Sequence, residues 1–254
     1  MKFGRRTIRT AALALAGVSL GYLLPAPSTA VAAAPEPSPI RVAWEFHFNP
    51  GPLRVITLDN PDGTRGSYYY MTYTVTNETP EDLFFAPVFE LTTDRGEILS
   101  SGRDVPREVT QEILKRLRNP LLQDQISIIG PVMQGPENAR DGLAVWPVRE
   151  TKIDRVNVYC IGLSGETRTM LVPDPTTGEP QEVVMRKTAM LRHLVPGDLL
   201  TQTTTEGGRV LERVDRRWIL RAPQATISAQ PDSGVARQAA PAGSSGSSAE
   251  AASR

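Results

Sequence analysis

The sequence predicts an all-β protein, an antiparallel sandwich with one inserted helix and a C-terminal β-hairpin extension. Three observations carry this expectation. Between residues 40 and 221 apolar side chains recur mainly at every second position, the period of a half-buried strand. Clusters of Pro, Gly, Asn and Asp interrupt these runs at short intervals, as in sandwiches. Helical spacing shows in one stretch, residues 106 to 118.

Residues 1–32 read as an export leader. Lys2, Arg5, Arg6 and Arg9 make a basic start, Ala11 to Leu24 is free of charge, and Ala30-Val31-Ala32 supplies small residues for cleavage. The paired arginines in Gly4-Arg5-Arg6-Thr7-Ile8-Arg9 resemble a twin-arginine signal, with Gly4 and Arg9 as departures. An ordinary secretory basic region is the alternative. The apolar run is shorter than the ~20 residues of a membrane span, and no second one follows. The mature chain is therefore expected to lack a transmembrane span and to be periplasmic or extracellular. Residues 33–39 form a Pro-rich spacer.

The folded part begins at residue 40. Val42, Trp44, Phe46 and Phe48 alternate with Ala43, Glu45 and His47, and Leu53, Val55 and Ile56 continue the run. Asp59-Asn60-Pro61-Asp62-Gly63 is a turn cluster. Tyr68 to Asn77 then places Tyr69, Met71, Tyr73 and Val75 on a core face and Thr72, Thr74 and Thr76 outward. Leu83 to Thr92 reads as one strand, and Asp94-Arg95-Gly96 as the tight turn returning to Ile98 and Leu99. Pro106 suits a first helical turn, with Glu108 and Glu112 early and Lys115, Arg116 and Arg118 late, matching the helix dipole. Val109, Ile113, Leu114 and Leu117 share one face, and Asn119-Pro120 stops the helix.

Strand patterns resume at Gln125 to Val132, Leu143 to Pro147 and Ile153 to Gly162. Residues 162–166 have hairpin length, which pairs Thr167 to Val172 with the preceding strand. Asp174 to Pro180 is a further turn, Val183 to Val195 reads as extended, and Arg209 to Arg221 completes the ribbon. On this reading residues 40–172 form the sandwich domain. Residues 173–221 form a C-terminal ribbon packed on it or extending from it. Residues 222–254 hold no aromatic residue and are dominated by Ala, Ser, Gly, Pro and Gln, a disordered composition.

The Tyr73-Thr74-Val75-Thr76-Asn77 run resembles exported bacterial immunoglobulin-like domains, over about residues 42–172. The resemblance implies an immunoglobulin-like sandwich serving as an adhesive or scaffolding module, and it carries over no functional residue. The inserted helix departs from that pattern, and a single cysteine, Cys160, excludes an intrachain disulfide.

Charge and motifs narrow the function classes. The full chain balances 28 basic against 28 acidic residues, and residues 1–32 hold four basic and no acidic ones, so the remainder is near −4. A mildly acidic surface disfavours nucleic acid as a partner. His47 with Glu45, and His193 with Asp198, are too few for a metal centre, so no metal or cofactor is expected. The carboxylates of residues 59–64 lack the closing Glu of a calcium loop and read as a turn. Gly162-Leu163-Ser164-Gly165-Glu166 is not a nucleophile elbow, and Cys160 reads as a buried apolar residue. Asn77-Glu78-Thr79 fits a glycosylation acceptor, disfavoured by Pro80.

The leading expectation is a non-catalytic exported protein of the periplasm or cell surface, working through contacts with an envelope protein. The alternative is a carbohydrate-binding module. Its candidate platform draws on Trp44, Trp146, Trp218 and above all Tyr68 and Tyr70, which share the threonine face and would form an exposed stripe if the sheet were open there.

Overall fold

The computed structural model describes residues 35–174, 177–201, 203 and 207–222. All of them fall within the unit beginning at Ala34. The expected leader, residues 1–32, and the expected disordered tail from residue 223 lie outside the described residues. Within them the chain is all-β with one helix, as its alternation dictates.

One sheet runs in the order β12 (Arg209–Val210), β1 (His47–Asp59), β2 (Arg65–Asn77), β8 (Gly135–Pro147), β6 (Leu122–Gln123). Strands β1 and β2 form a hairpin across the Asp59–Thr64 turn, where Gly63 adopts φ 81°. The facing sheet contains β4 (Val88–Thr93), β5 (Ile98–Ser100), β9 (Arg155–Ile161), β10 (Thr167–Pro173), β11 (Pro180–Leu194) and β13 (Glu212–Arg221). A short ribbon pairs β3 (Leu83–Phe85) with β7 (Gly130–Val132). The residues assigned to the core face of β2, Tyr69, Met71, Tyr73 and Val75, are all buried between the sheets. The Tyr73 ring meets Phe89 at a tilt, centroids 4.6 Å apart, and lies 5.9 Å from Phe48, closing an aromatic centre that includes Trp146.

Helix α1 spans Arg107–Leu117 and ends at Arg118 in the left-handed conformation. Its apolar face buries Val109 and Ile113 on the outer side of the first sheet, against Ile56, Leu58, Tyr68, Tyr70, Leu143 and Val145. Full burial of one such aliphatic side chain contributes roughly 1.5–3 kcal/mol. This second core corrects the expected exposed stripe. Tyr68 and Tyr70 are only 4% and 2% exposed. Their hydroxyls donate to Asn60 Oδ1 and the Gly207 carbonyl, each at 2.5 Å.

Other expectations are corrected by pairing over longer range. The first strand begins at His47, so Val42 and Trp44 precede it and are exposed rather than inward-facing. The predicted strand at 83–92 is divided at Ala86-Pro87 into β3 and β4. Within Gln125 to Val132 the strand is Gly130–Val132 alone.

Strands β9 and β10 do not pair with each other. Both lie along one edge of β11, with Cys160 opposite Ala189 and Thr167 opposite Arg186, while β13 holds the other edge. Residues 162–166 are thus an excursion within one long strand, not a hairpin turn. Strand β11, flanked on both edges, is integral to the second sheet, so β11 and β13 are strands of the sandwich itself.

The excursion receives the N-terminal segment. Phe46 N–H donates to Leu163 O at 2.9 Å and Gly165 N–H to Trp44 O at 3.0 Å. Behind it, Lys187 Nζ lies 2.8 Å from Glu45 and 3.2 Å from Glu166, and 5.2 Å over the Trp218 ring. Ser38 N–H donates to Glu166 Oε1 at 2.7 Å. Burial opposes ionisation of Glu166, but the Ser38 amide and the Lys187 ammonium outweigh it and hold the carboxyl below its ordinary range. Burial likewise disfavours the Lys187 cation, and the two glutamates outweigh it, raising the ammonium pKa. This cluster fixes residues 38–45 against the sandwich.

Candidate docking cleft at one end of the sandwich

The fixed N-terminal segment forms one wall of a cleft of about 350 Å³. Arg41, Ala43 and Trp44 line this wall, while Glu78, Pro80, Glu81 and Leu83 line the other. Trp44 is 39% exposed. Its inner edge meets Phe46 at 5.7 Å in an edge-to-face contact. The indole lies so close over residue 165 that a Cβ there would stand 2.4 Å from Nε1, so only glycine fits beneath it.

The second wall is organised by one buried amide. Asn77 is 0% exposed at the end of β2. Its Nδ2 donates to Glu81 O at 2.7 Å and Val132 O at 2.9 Å. Its Oδ1 accepts from the Thr79 N–H and hydroxyl at 3.0 and 2.7 Å. Both donors and the acceptor are satisfied, so residues 77–82 are held in one conformation. The same burial leaves no room for a glycan on Asn77.

Beyond the cleft the β3–β7 ribbon presents an apolar outer face. Phe84 is 66% exposed and pairs with Pro131, while the adjoining Phe85 and Val132 point inward and are buried. Ile129 and Met133, two residues either side of Pro131, are exposed as well. Glu78, Glu81 and Asp82 are exposed beside this surface, giving it an acidic rim. The arrangement suits an apolar side chain flanked by basic groups.

The residues singled out from sequence are dispersed. Tyr68 and Tyr70 lie in the second core and present no stacking face. Trp146 is buried, Trp218 packs beside Lys187, and Trp44 is the tryptophan left open. His47 stands 3.8 Å from Glu78, and His193 is buried in the second sheet, so the two do not meet. Among the described residues no three metal-ligating side chains converge. Cys160 is buried on β9, and burial pushes its thiol pKa well up. The Ser164 hydroxyl accepts the Glu166 N–H at 3.2 Å. Sequence reasoning missed Phe84, Ile129, Met133 and Glu81. The one local signal was the loop chemistry of Asn77-Glu78-Thr79-Pro80.

Compared with known proteins, the chain matches no family model, and neither a curated protein nor a solved structure is significantly similar to it. Among the described residues no helix is long and apolar enough to cross a membrane.

Proposed function

We propose that this is an exported, non-catalytic β-sandwich protein that acts through protein contacts in the cell envelope, docking its partner at the end built by Trp44 and Phe84. The observation that carries the reading is the grouping of exposed apolar side chains at one end, beside a cleft with fixed walls and an acidic rim. Large apolar side chains held open on a rigid frame lower the ordering cost of association and supply interface anchors. The fitting partner is a protein segment with an aromatic or aliphatic side chain next to Lys or Arg. Export is read from residues 1–32, and the likeness to immunoglobulin-like modules belongs to the same proposal.

A photo-crosslinking amino acid at position 84 of the full chain, expressed in its native cell, tests this. A discrete adduct lost on Trp44→Ala and on Glu81→Lys, and not obtained with the crosslinker at Thr169, is expected. An adduct indifferent to both substitutions, or no adduct above the Thr169 control, overturns the reading.

A further inference from the structure

Helix α1 covers only part of the outer face of the first sheet. Past its C-terminus a separate depression of about 290 Å³ lies over β1, β2 and β8. Its polar lining is Asn49, Thr72, Thr74, Asn119 and Asp141, and Leu117 and Leu122 form apolar edges. We infer that this depression is a binding site for one neutral sugar ring, recognised through adjacent hydroxyls. The inference stands apart from the docking cleft and uses none of its residues.

The sheet register builds the site. Asn49 is opposite Thr74, and Thr74 opposite Asp141, so three polar side chains stand in a row across neighbouring strands, about 4.8 Å apart. Thr72 lies two residues back along β2, on the same face. The bulge in β1 between Pro50 and Leu53 leaves Gly51 against Thr72, where a Cβ would stand 2.6 Å from Thr72 Oγ1 and fill the floor. The left-handed Arg118 ends the helix and turns Asn119 over Asp141.

The hydrogen-bond polarity is set before any ligand arrives. Thr74 Oγ1 donates to Asp141 Oδ1 at 2.7 Å, and Asn119 Nδ2 donates to Asp141 Oδ2 at 3.2 Å. Asn119 Oδ1 accepts the Leu121 N–H at 3.0 Å, which fixes the amide's orientation and leaves it a second N–H. Each carboxylate oxygen retains a lone pair, and the Thr74 oxygen can still accept. The Asn49 amide and the Thr72 hydroxyl make no side-chain hydrogen bond among the described residues.

A carboxylate with spare lone pairs beside an oriented amide donor matches two neighbouring hydroxyls, each of which donates and accepts. Leu117 and Leu122 offer apolar contact to the C–H face of the ring. The charged group in the lining is the Asp141 carboxylate, which repels phosphates and uronic acids, so the site disfavours an anionic sugar.

The test is amide chemical-shift titration of the full mature chain with the methyl glycosides of glucose, galactose, mannose and N-acetylglucosamine. At least one should give saturable shifts confined to residues 49–51, 72–74, 117–122 and 141–142. Asp141→Ala should weaken it by about tenfold or more, the effect of losing a charged acceptor. Asn49→Ala, which removes an exposed side chain without a fold-level partner, should weaken binding in a protein of unchanged stability. Trp44→Ala should bind the glycoside as the parent does while failing the crosslinking test, which separates the two readings. The inference is overturned if none of the four glycosides gives saturable shifts, if the shifts map elsewhere, or if Asn49→Ala binds like the parent.

Discussion

His193 makes the stability of this sandwich depend on pH in a calculable way. The ring is 0% exposed on β11, opposite Arg213, and neither ring nitrogen has a hydrogen-bond partner. Burial disfavours the imidazolium and the Arg213 guanidinium repels it, lowering the pKa from 6.5 to about 4. In the unfolded chain the ring protonates normally. Between those two values the unfolded state binds a proton that the folded state does not, so stability falls as pH falls. The contribution is fully present above pH 6.5, is lost progressively down to about pH 4, and changes no further below it.

The whole interval corresponds to roughly 3 kcal/mol, of which about 2 kcal/mol is lost by pH 5. Urea titrations at pH 7.5, 6 and 5 read this directly, since about 2 kcal/mol moves the midpoint by roughly 0.8 M at an m-value near 2.5 kcal/mol/M. The carboxylates held low in the fold, including Glu166, lose their contribution further down the scale. The window above pH 5 therefore isolates the histidine. His193→Leu should flatten the dependence across this window. An undiminished slope in that variant would refute the reasoning.

Two further outcomes test the site and the core. Asn77→Ala should destabilise the fold by about 2–3 kcal/mol, because it strips partners from Glu81 O and Val132 O. Hydrogen exchange should then show residues 78–82 losing protection before the strands do. Cys160 should be inert to a thiol reagent in native buffer and react stoichiometrically once urea unfolds the chain. Fast native reaction would contradict its burial on β9.

The strand content, the inward residues of β2, the polar turn at 59–64 and the helix at 107–117 follow from local chemistry. Alternation at period two, turn residues with restricted or permissive backbones, and an apolar face at helical spacing each leave their mark within a dozen residues. The extended state of residues 180–194 was legible for the same reason. The β9–β10 arrangement was not. Hairpin-length spacing at 162–166 is equally compatible with an interruption along one edge of β11, and β4 and β11 decide between them, because they take the two edges of β9 and leave none for β10.

The candidate surfaces show the same division. Tyr68 and Tyr70 were correctly placed on the face opposite the main core, but whether that face meets water depends on where α1 lands. Amphipathicity says that the helix needs an apolar partner, not which one. Trp44 alternates like a core residue but is open because the first strand starts at His47, and Phe84, out of phase with the inward Phe85, is open on the outer face of the β3–β7 ribbon. Sequence alone determined which segments could be strands and which residues needed shelter. The tertiary structure decided which of them received it, because exposure is a property of what packs over a side chain, and that covering element comes from far along the chain.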